Sequence, residues 1–443
     1  MELYENLVVK QEKGYVLLNL YNFKIEYLTV DEFRKLEAYV HKGNLSGKQI
    51  FECFREKGQF LTDKQIAAID LHARIKSKQL GEAALCEVQI SLSFECNLSC
   101  YYCYQRGRHD NERMGIDDID KIYEFCELYE NKMETKNKIQ WITITGGEPL
   151  LEQNIILINY IAEKFRDANI RIFTNGINLL KYWHKLPLDR IAEIQISLDG
   201  DDKIISEISG RSEMCYSEKI LKSIHLAVSS GCNVRVGCVL TEVSVERVKI
   251  IYDLLERADL LKYNNLHIAF TLVTDYKNEL GIARQYDLKK LAKEINGMRG
   301  LFQQYKNSEI TIFSDLMPIK SLLKDYFDIN RFHVGRRCGR LHGMGITAIP
   351  SGGIYWCNER IGENGKIGDY RKGIFYKERY EEISQRNVYK INECQKCKFR
   401  FVCGAGCPIK IGENVVDWKE RYCGVFGNSY IMDNLQDFIL IDN

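Results

Sequence analysis

Apolar and polar residues alternate along this chain in more than one rhythm. Up to residue 82, short β-prone runs (Leu7-Val8-Val9, Tyr15-Val16-Leu17-Leu18 and Ile25-Glu26-Tyr27-Leu28) are broken by Lys13-Gly14 and Tyr21-Asn22. These runs predict a three-stranded meander. Apolar positions then shift to helical spacing: Phe33, Leu36 and Tyr39-Val40, next Ile50-Phe51 and Phe54 after Gly47, then Ile66, Ile69 and Leu71 after Thr62-Asp63. Three helices are expected from that change of period.

From residue 86 to 275 the rhythm is strand, then helix, repeated. Strand candidates lie at 87–92, 139–144, 170–173, 194–198, 234–239 and 266–270, with amphipathic stretches such as 119–129 and 155–165 between them. This alternation implies a parallel α/β sheet, and six units of it curl into a partial (β/α)6, TIM-like barrel. Cys96, Gly146, Asn175, Asp199 and Leu240 fall just after strand ends, the rim where barrels carry their chemistry. Residues 276–337 read as a helical linker, and 338–443 as a Gly- and Cys-rich domain.

Composition narrows the classes. Length (443 residues) calls for two or three domains, and 45% hydrophobic with 28% charged residues describes a folded chain. A formal charge of +1 gives no broad basic field, so nucleic acid is not an expected partner. No apolar run approaches the ~18 residues of a membrane span. The acidic start, Met1-Glu2-Leu3-Tyr4-Glu5, has no signal-peptide core, so a cytoplasmic protein is expected.

Sixteen cysteines are then informative. Six of them (Cys53, Cys86, Cys126, Cys215, Cys232, Cys238) are scattered and read as small buried hydrophobes. The rest are clustered. Cys96-x3-Cys100-x2-Cys103 can hold three irons of a four-iron cluster, leaving the fourth open; a zinc site with a remote fourth ligand is the alternative. A second group is Cys394-x2-Cys397-x5-Cys403-x3-Cys407, flanked by Cys338, Cys357 and Cys423. There too, zinc is the alternative to iron–sulfur.

The first group, with Tyr102 before its third cysteine, resembles the radical SAM superfamily signature. Companion motifs follow in order: Thr145-Gly146-Gly147-Glu148-Pro149, Phe173-Thr174-Asn175-Gly176, Ser197-Leu198-Asp199-Gly200 and Val239-Leu240-Thr241. The resemblance implies a [4Fe-4S] cluster on Cys96, Cys100 and Cys103, with S-adenosylmethionine (SAM) bound at its open iron. Tyr102, Gly146, Gly147, Glu148, Pro149, Asn175, Ser197, Asp199, Arg211 and Leu240 would line the cofactor site. There the glycines admit backbone close to the methionyl amine, Glu148 supplies negative charge, Asp199 bonds ribose hydroxyls, and Arg211 pairs with the carboxylate.

The C-terminal cysteines resemble the SPASM domain, which implies two auxiliary [4Fe-4S] clusters. Cys394, Cys397, Cys403 and Cys423 would hold one; Cys338, Cys357 and Cys407 the other, whose fourth iron is either open or met by a side chain such as His333. The amino-terminal region resembles a winged helix-turn-helix and, by pattern, the RiPP recognition element that holds leader peptides, here along the strand near residues 24–27. Together the resemblances imply a peptide maturase that cleaves SAM to a 5′-deoxyadenosyl radical, abstracts a hydrogen from a ribosomal precursor peptide and installs a thioether or carbon–carbon cross-link. A one-electron reductant such as flavodoxin or ferredoxin would be its partner. The alternatives are an anaerobic sulfatase maturase, a small-molecule dehydrogenase or decarboxylase, and a peptide-binding redox sensor.

Overall fold

A computed structural model of the chain describes residues 2–3, 6–11, 13–22, 24–81, 84–105, 112–135, 139–209, 215–241, 244–272, 293–294, 297–298, 301, 304–305, 307–311, 345–358, 365–384, 387–397 and 400–403. The chain opens with β1 (Glu2–Leu3), β2 (Asn6–Gln11), β3 (Gly14–Asn19) and β4 (Ile25–Thr29), an antiparallel sheet in chain order. Helices α1 (Val30–Lys42), α2 (Lys48–Glu56) and α3 (Asp63–Gly81) follow. The expected three strands and three helices are present, and β1 adds a fourth strand too short to leave a periodic signal.

Local chemistry fixes these boundaries. Thr29 caps α1, accepting from the Glu32 amide at 3.2 Å while the Glu32 carboxylate accepts from the Thr29 amide at 2.8 Å. Gly43 ends the helix at φ 68°, a conformation that costs glycine little. The two faces of the small sheet go different ways. Val8, Leu17 and Leu28 bury against Phe33, Leu36, Phe54 and Phe60, a core belonging to the amino-terminal residues alone. Leu7, Val16, Leu18 and Leu20 join the large core that also holds the barrel. The edge of this module meets the C-terminal segment: Tyr21 packs edge-on against Phe401, and Arg400 pairs with Asp70 at 2.9 Å.

The second sheet has eleven strands. In it β5 (Glu87–Ser91), β6 (Trp141–Thr145), β7 (Asn169–Thr174), β8 (Ile191–Ser197), β9 (Asn233–Leu240) and β10 (Leu266–Leu272) run parallel and in chain order. This is the expected partial barrel. A seventh parallel strand, β11 (Ser308–Thr311), extends it beyond β10. That strand lies inside the stretch expected to be a helical linker; four residues give no alternation to read. Described positions 293, 294, 297, 298, 301 and 304 are helical.

On the other side of β5 the sheet continues through β12 (Gly345–Ala348), parallel to β5, then antiparallel β13 (Gly353–Tyr355), β14 (Lys366–Asp369) and β15 (Ile374–Phe375). The C-terminal strands are thus hydrogen-bonded into the barrel sheet.

Each barrel strand is apolar on one face only. Val88, Ile90, Ile142, Ile144, Ile170, Ile172, Ile194, Ile196, Val234 and Val236 are fully buried. They share a core with residues of α4 (Ile116–Met133), α5 (Ile155–Lys164), α6 (Leu179–Tyr182), α7 (Asp202–Ser209), α8 (Tyr216–Ser229) and α9 (Val245–Arg257). Each such side chain contributes about 1.5–3 kcal/mol by leaving water. Their strand neighbours are polar: Gln89, Thr143, Arg171, Gln195, Arg235 and His267. A parallel sheet covered on both faces would read as continuous apolar runs. The alternation here marks a barrel whose inner face is polar. No described helix is long and apolar enough to cross a membrane.

Candidate active site

All five motif segments lie at the carboxyl ends of β5 to β9, on one rim of the barrel. The cysteine loop leaves β5. Its Cys96 is exposed, and Cys100 and Cys103 are half-buried. The Leu98 amide reaches the Cys96 sulfur at 3.4 Å, and the Tyr101 amide donates to the Ile208 carbonyl at 3.1 Å, tying the loop to α7. Burial pushes the Cys100 thiol up to about 12, with Asp199, Cys103 and Cys96 adding to it in that order. Among the described residues no three Cys, His, Asp or Glu side chains gather tightly enough to hold a single ion. The charges of Cys103 and Cys96 both act on Cys100. Three thiols on one short loop suit a multi-iron cluster, in which each binds its own corner.

Tyr102, between the second and third cysteines, donates its hydroxyl to Asp199 Oδ2. Oδ1 of the same carboxylate accepts from the Val239 amide at 2.7 Å. Asp199 therefore ties the cysteine loop to the ends of β8 and β9. Burial raises its pKa against the pull of Tyr102, Val239 and Arg247. Burial, then the Asp199 charge, raise that of Tyr102. Leu240 is fully buried beneath this rim, and Ser197 is half-buried at the end of β8.

The Gly146-Gly147-Glu148-Pro149 turn packs directly on the cysteine loop. The Gly147 amide donates to the Ser93 carbonyl at 2.8 Å and the Glu148 amide to that of Glu95 at 2.7 Å. A Cβ at Gly147 would stand 2.0 Å from the Glu95 oxygen, and one at Gly146 2.4 Å from that of Ser93; Gly146 also has φ 145°. Backbone must meet backbone here, so both positions need glycine.

Glu148 is 1% exposed. Its Oε1 accepts from the Leu150 amide at 2.8 Å and the Thr174 hydroxyl at 2.6 Å; Oε2 accepts from the Asn175 amide at 2.8 Å. Burial raises its pKa, opposed by those three donors. Sequence reasoning expects this charge beside a ligand amine; here the carboxylate turns inward and staples the turn to the end of β7. Pro149 is buried behind it. Asn175 reaches across, its Nδ2 at 2.7 Å from Asn97 Oδ1 and 4.0 Å from the Cys96 sulfur.

Arg211 lies outside the described residues. So do Cys338, Cys407 and Cys423, together with His333; of Cys403 only the backbone is described. Cys357 is buried in the large core just after β13, and Cys394 is buried against Val388. Cys397 follows on the same turn, its amide donating to the Cys394 carbonyl at 3.1 Å. Cys394 and Cys397 thus share one backbone turn.

Three contributors escape sequence reasoning. Thr174 falls within a recognised motif, yet only the fold shows its hydroxyl on Glu148. Glu95 and Arg113 meet through a contact that no spacing rule encodes.

Residues 90–255 match the family model described as the Radical SAM superfamily. Among curated proteins, the chain is 32% identical over 174 residues to a probable GTP 3′,8-cyclase of Methanopyrus kandleri, covering 39% of this chain and 53% of that protein. The match thus spans about half of that relative's length. The chain is also 26% identical over 300 residues to the GTP 3′,8-cyclase of Staphylococcus haemolyticus, covering 67% of this chain and 80% of that protein. Among solved structures, it superposes on Streptococcus suis SuiB bound to precursor peptide SuiA with TM-score 0.58 at 17% identity, covering 93% of this chain and 96% of that one. It also superposes on anSMEcpe with bound AdoMet and Cp18Cys peptide (TM-score 0.55, 18% identity, 81% and 100% covered). At such identities these two structures establish the fold.

Proposed function

We propose that this chain is a radical SAM enzyme that modifies a ribosomally made precursor peptide and joins two of its residues through a thioether or carbon–carbon bond. The observation that carries the enzymatic part is the meeting, at one rim, of the Cys96/Cys100/Cys103 loop with the Gly146-Gly147 turn, Asn175 and Asp199. Cys96, Cys100 and Cys103 would hold a four-iron cluster, which would supply the one electron needed to cleave SAM to methionine and a 5′-deoxyadenosyl radical. The chain's own residues do the positioning. Asp199 holds Tyr102 and with it the middle of the cysteine loop. Glu148 holds the diglycine turn, whose backbone lies close enough to the loop to approach a bound amine. The polar inner face of the barrel offers hydrogen-bonding groups to a substrate. Arg211 is the candidate partner for the methionyl carboxylate.

Residues 338–443 would hold the auxiliary clusters, one on Cys394, Cys397, Cys403 and Cys423 and the other on Cys338, Cys357 and Cys407. Joining two residues removes two hydrogens from the peptide, a two-electron oxidation. Hydrogen abstraction takes one equivalent, and the auxiliary clusters would accept the second. The peptide part of the proposal rests on the small sheet and three helices that precede the barrel. β4 ends that sheet and can receive a leader peptide as an added strand. An external flavodoxin or ferredoxin would supply the electron, and oxygen-sensitive clusters suit an anaerobic cytoplasm.

The likeness to GTP 3′,8-cyclases over 300 residues supports a second reading, cyclisation of GTP. One assay separates the two. Anaerobically reconstituted enzyme with dithionite and SAM should release 5′-deoxyadenosine, and a precursor peptide encoded beside the gene should lose about two mass units per cross-link. Turnover of GTP with no change in any such peptide would favour the second reading.

A further inference from the structure

We propose that Glu95 and Arg113 form a positioning pair that sets the seat of the cysteine loop against the diglycine turn. The inference rests on the reading that this loop holds a cluster. Glu95 immediately precedes Cys96 and is a junction of three segments. Arg113, on the stretch that returns from the loop, places Nε at 3.0 Å and Nη2 at 2.6 Å from Glu95 Oε1, with Nη2 also 2.6 Å from Oε2. Gln153, in the turn following the diglycine segment, donates to Oε2 at 3.1 Å. The Glu95 carbonyl accepts the Glu148 amide at 2.7 Å. Backbone contacts reinforce the return: Ser93 bridges Arg113, and the Met114 amide donates to Leu92 at 2.9 Å.

Glu95 and the turn are in direct backbone contact: a Cβ on Gly147 would stand 2.0 Å from the Glu95 oxygen, which also accepts the Glu148 amide. Arg113 is 48% exposed and Glu95 31%. Exposed ion pairs add little to global stability, though a forked arginine–carboxylate contact still fixes geometry. Arg113 also offsets the charge of a carboxylate that stands next to the cysteine loop. The pair should therefore govern local order far more than unfolding.

The test uses Arg113→Ala, Glu95→Gln and the double variant of the full-length chain. Three quantities are read: amide exchange of residues 93–105 in metal-free protein, SAM affinity after anaerobic reconstitution, and the urea midpoint. Each single variant should speed exchange in 93–105 and weaken SAM binding, both by about tenfold, with the midpoint unchanged and no further loss in the double variant. Unchanged exchange and affinity would overturn the proposal, as would losses that add in the double variant or that track a lowered midpoint. Wild-type protein that takes up no iron would instead count against the cluster reading, while exchange in metal-free protein still tests the pair.

Discussion

Cys96, Cys100 and Cys103 sit on one short loop but do not share one environment. Cys96 is exposed, whereas burial holds the Cys100 thiol at about 12. Since the thiolate is the reactive form, iodoacetamide should label Cys96 of metal-free protein well before Cys100, and iron uptake should protect both; peptide mass spectrometry reads this directly. Glu148→Ala leaves three donors without their acceptor in a buried site. It should destabilise the protein by about 3 kcal/mol, seen as a lowered urea midpoint. Motif spacing made these positions legible, because chemistry requires residue types at fixed intervals. Orientation was not legible. Nothing in Gly146-Gly147-Glu148-Pro149 says that the carboxylate turns toward Thr174, or that Asp199 anchors Tyr102, since those partners arrive from other strands.

Elements show the same division. Six barrel strands were readable because each runs for five or more residues with apolar side chains at alternate positions over most of its length. β1 and β11, with two and four residues, carry no such pattern, and β11 has to be found by its pairing with β10. Interactions between distant elements are equally hidden. Arg371, in the turn between β14 and β15, reaches back 253 residues to Asp118 at the start of α4, with Nε at 2.8 Å from Oδ1. Burial opposes ionisation of Asp118, but Arg371 and the Gly115 amide outweigh it and hold the carboxyl below its ordinary 3.8. A carboxyl depressed in the folded state stabilises fully above its unfolded value and loses that contribution as pH falls through the folded one. Below 3.8, wild-type protein should therefore lose thermal stability more steeply than Arg371→Ala, and scanning calorimetry across that range checks it.

For the molecule as a whole, the amino-terminal module, the barrel and the C-terminal strands share buried surface. Leu7, Val16 and Leu18 lie in the same core as Ile90 and Ile354. Cutting away residues 1–82 would expose that face, so leader binding is better probed at the surface of the module. Tyr27, 45% exposed on β4, is the position to change. Tyr27→Pro removes a backbone donor from the strand and should weaken precursor binding about tenfold, by fluorescence anisotropy, while SAM cleavage without peptide is unaffected. Iron content, read together with SAM cleavage in anaerobically reconstituted protein, tests the cluster-bearing rim most directly. About twelve irons per chain are expected, with a loss of about four on replacing Cys96, Cys100 and Cys103 together by alanine, and 5′-deoxyadenosine released only when those cysteines are present. Colourless protein that binds zinc and leaves SAM intact would contradict this expectation.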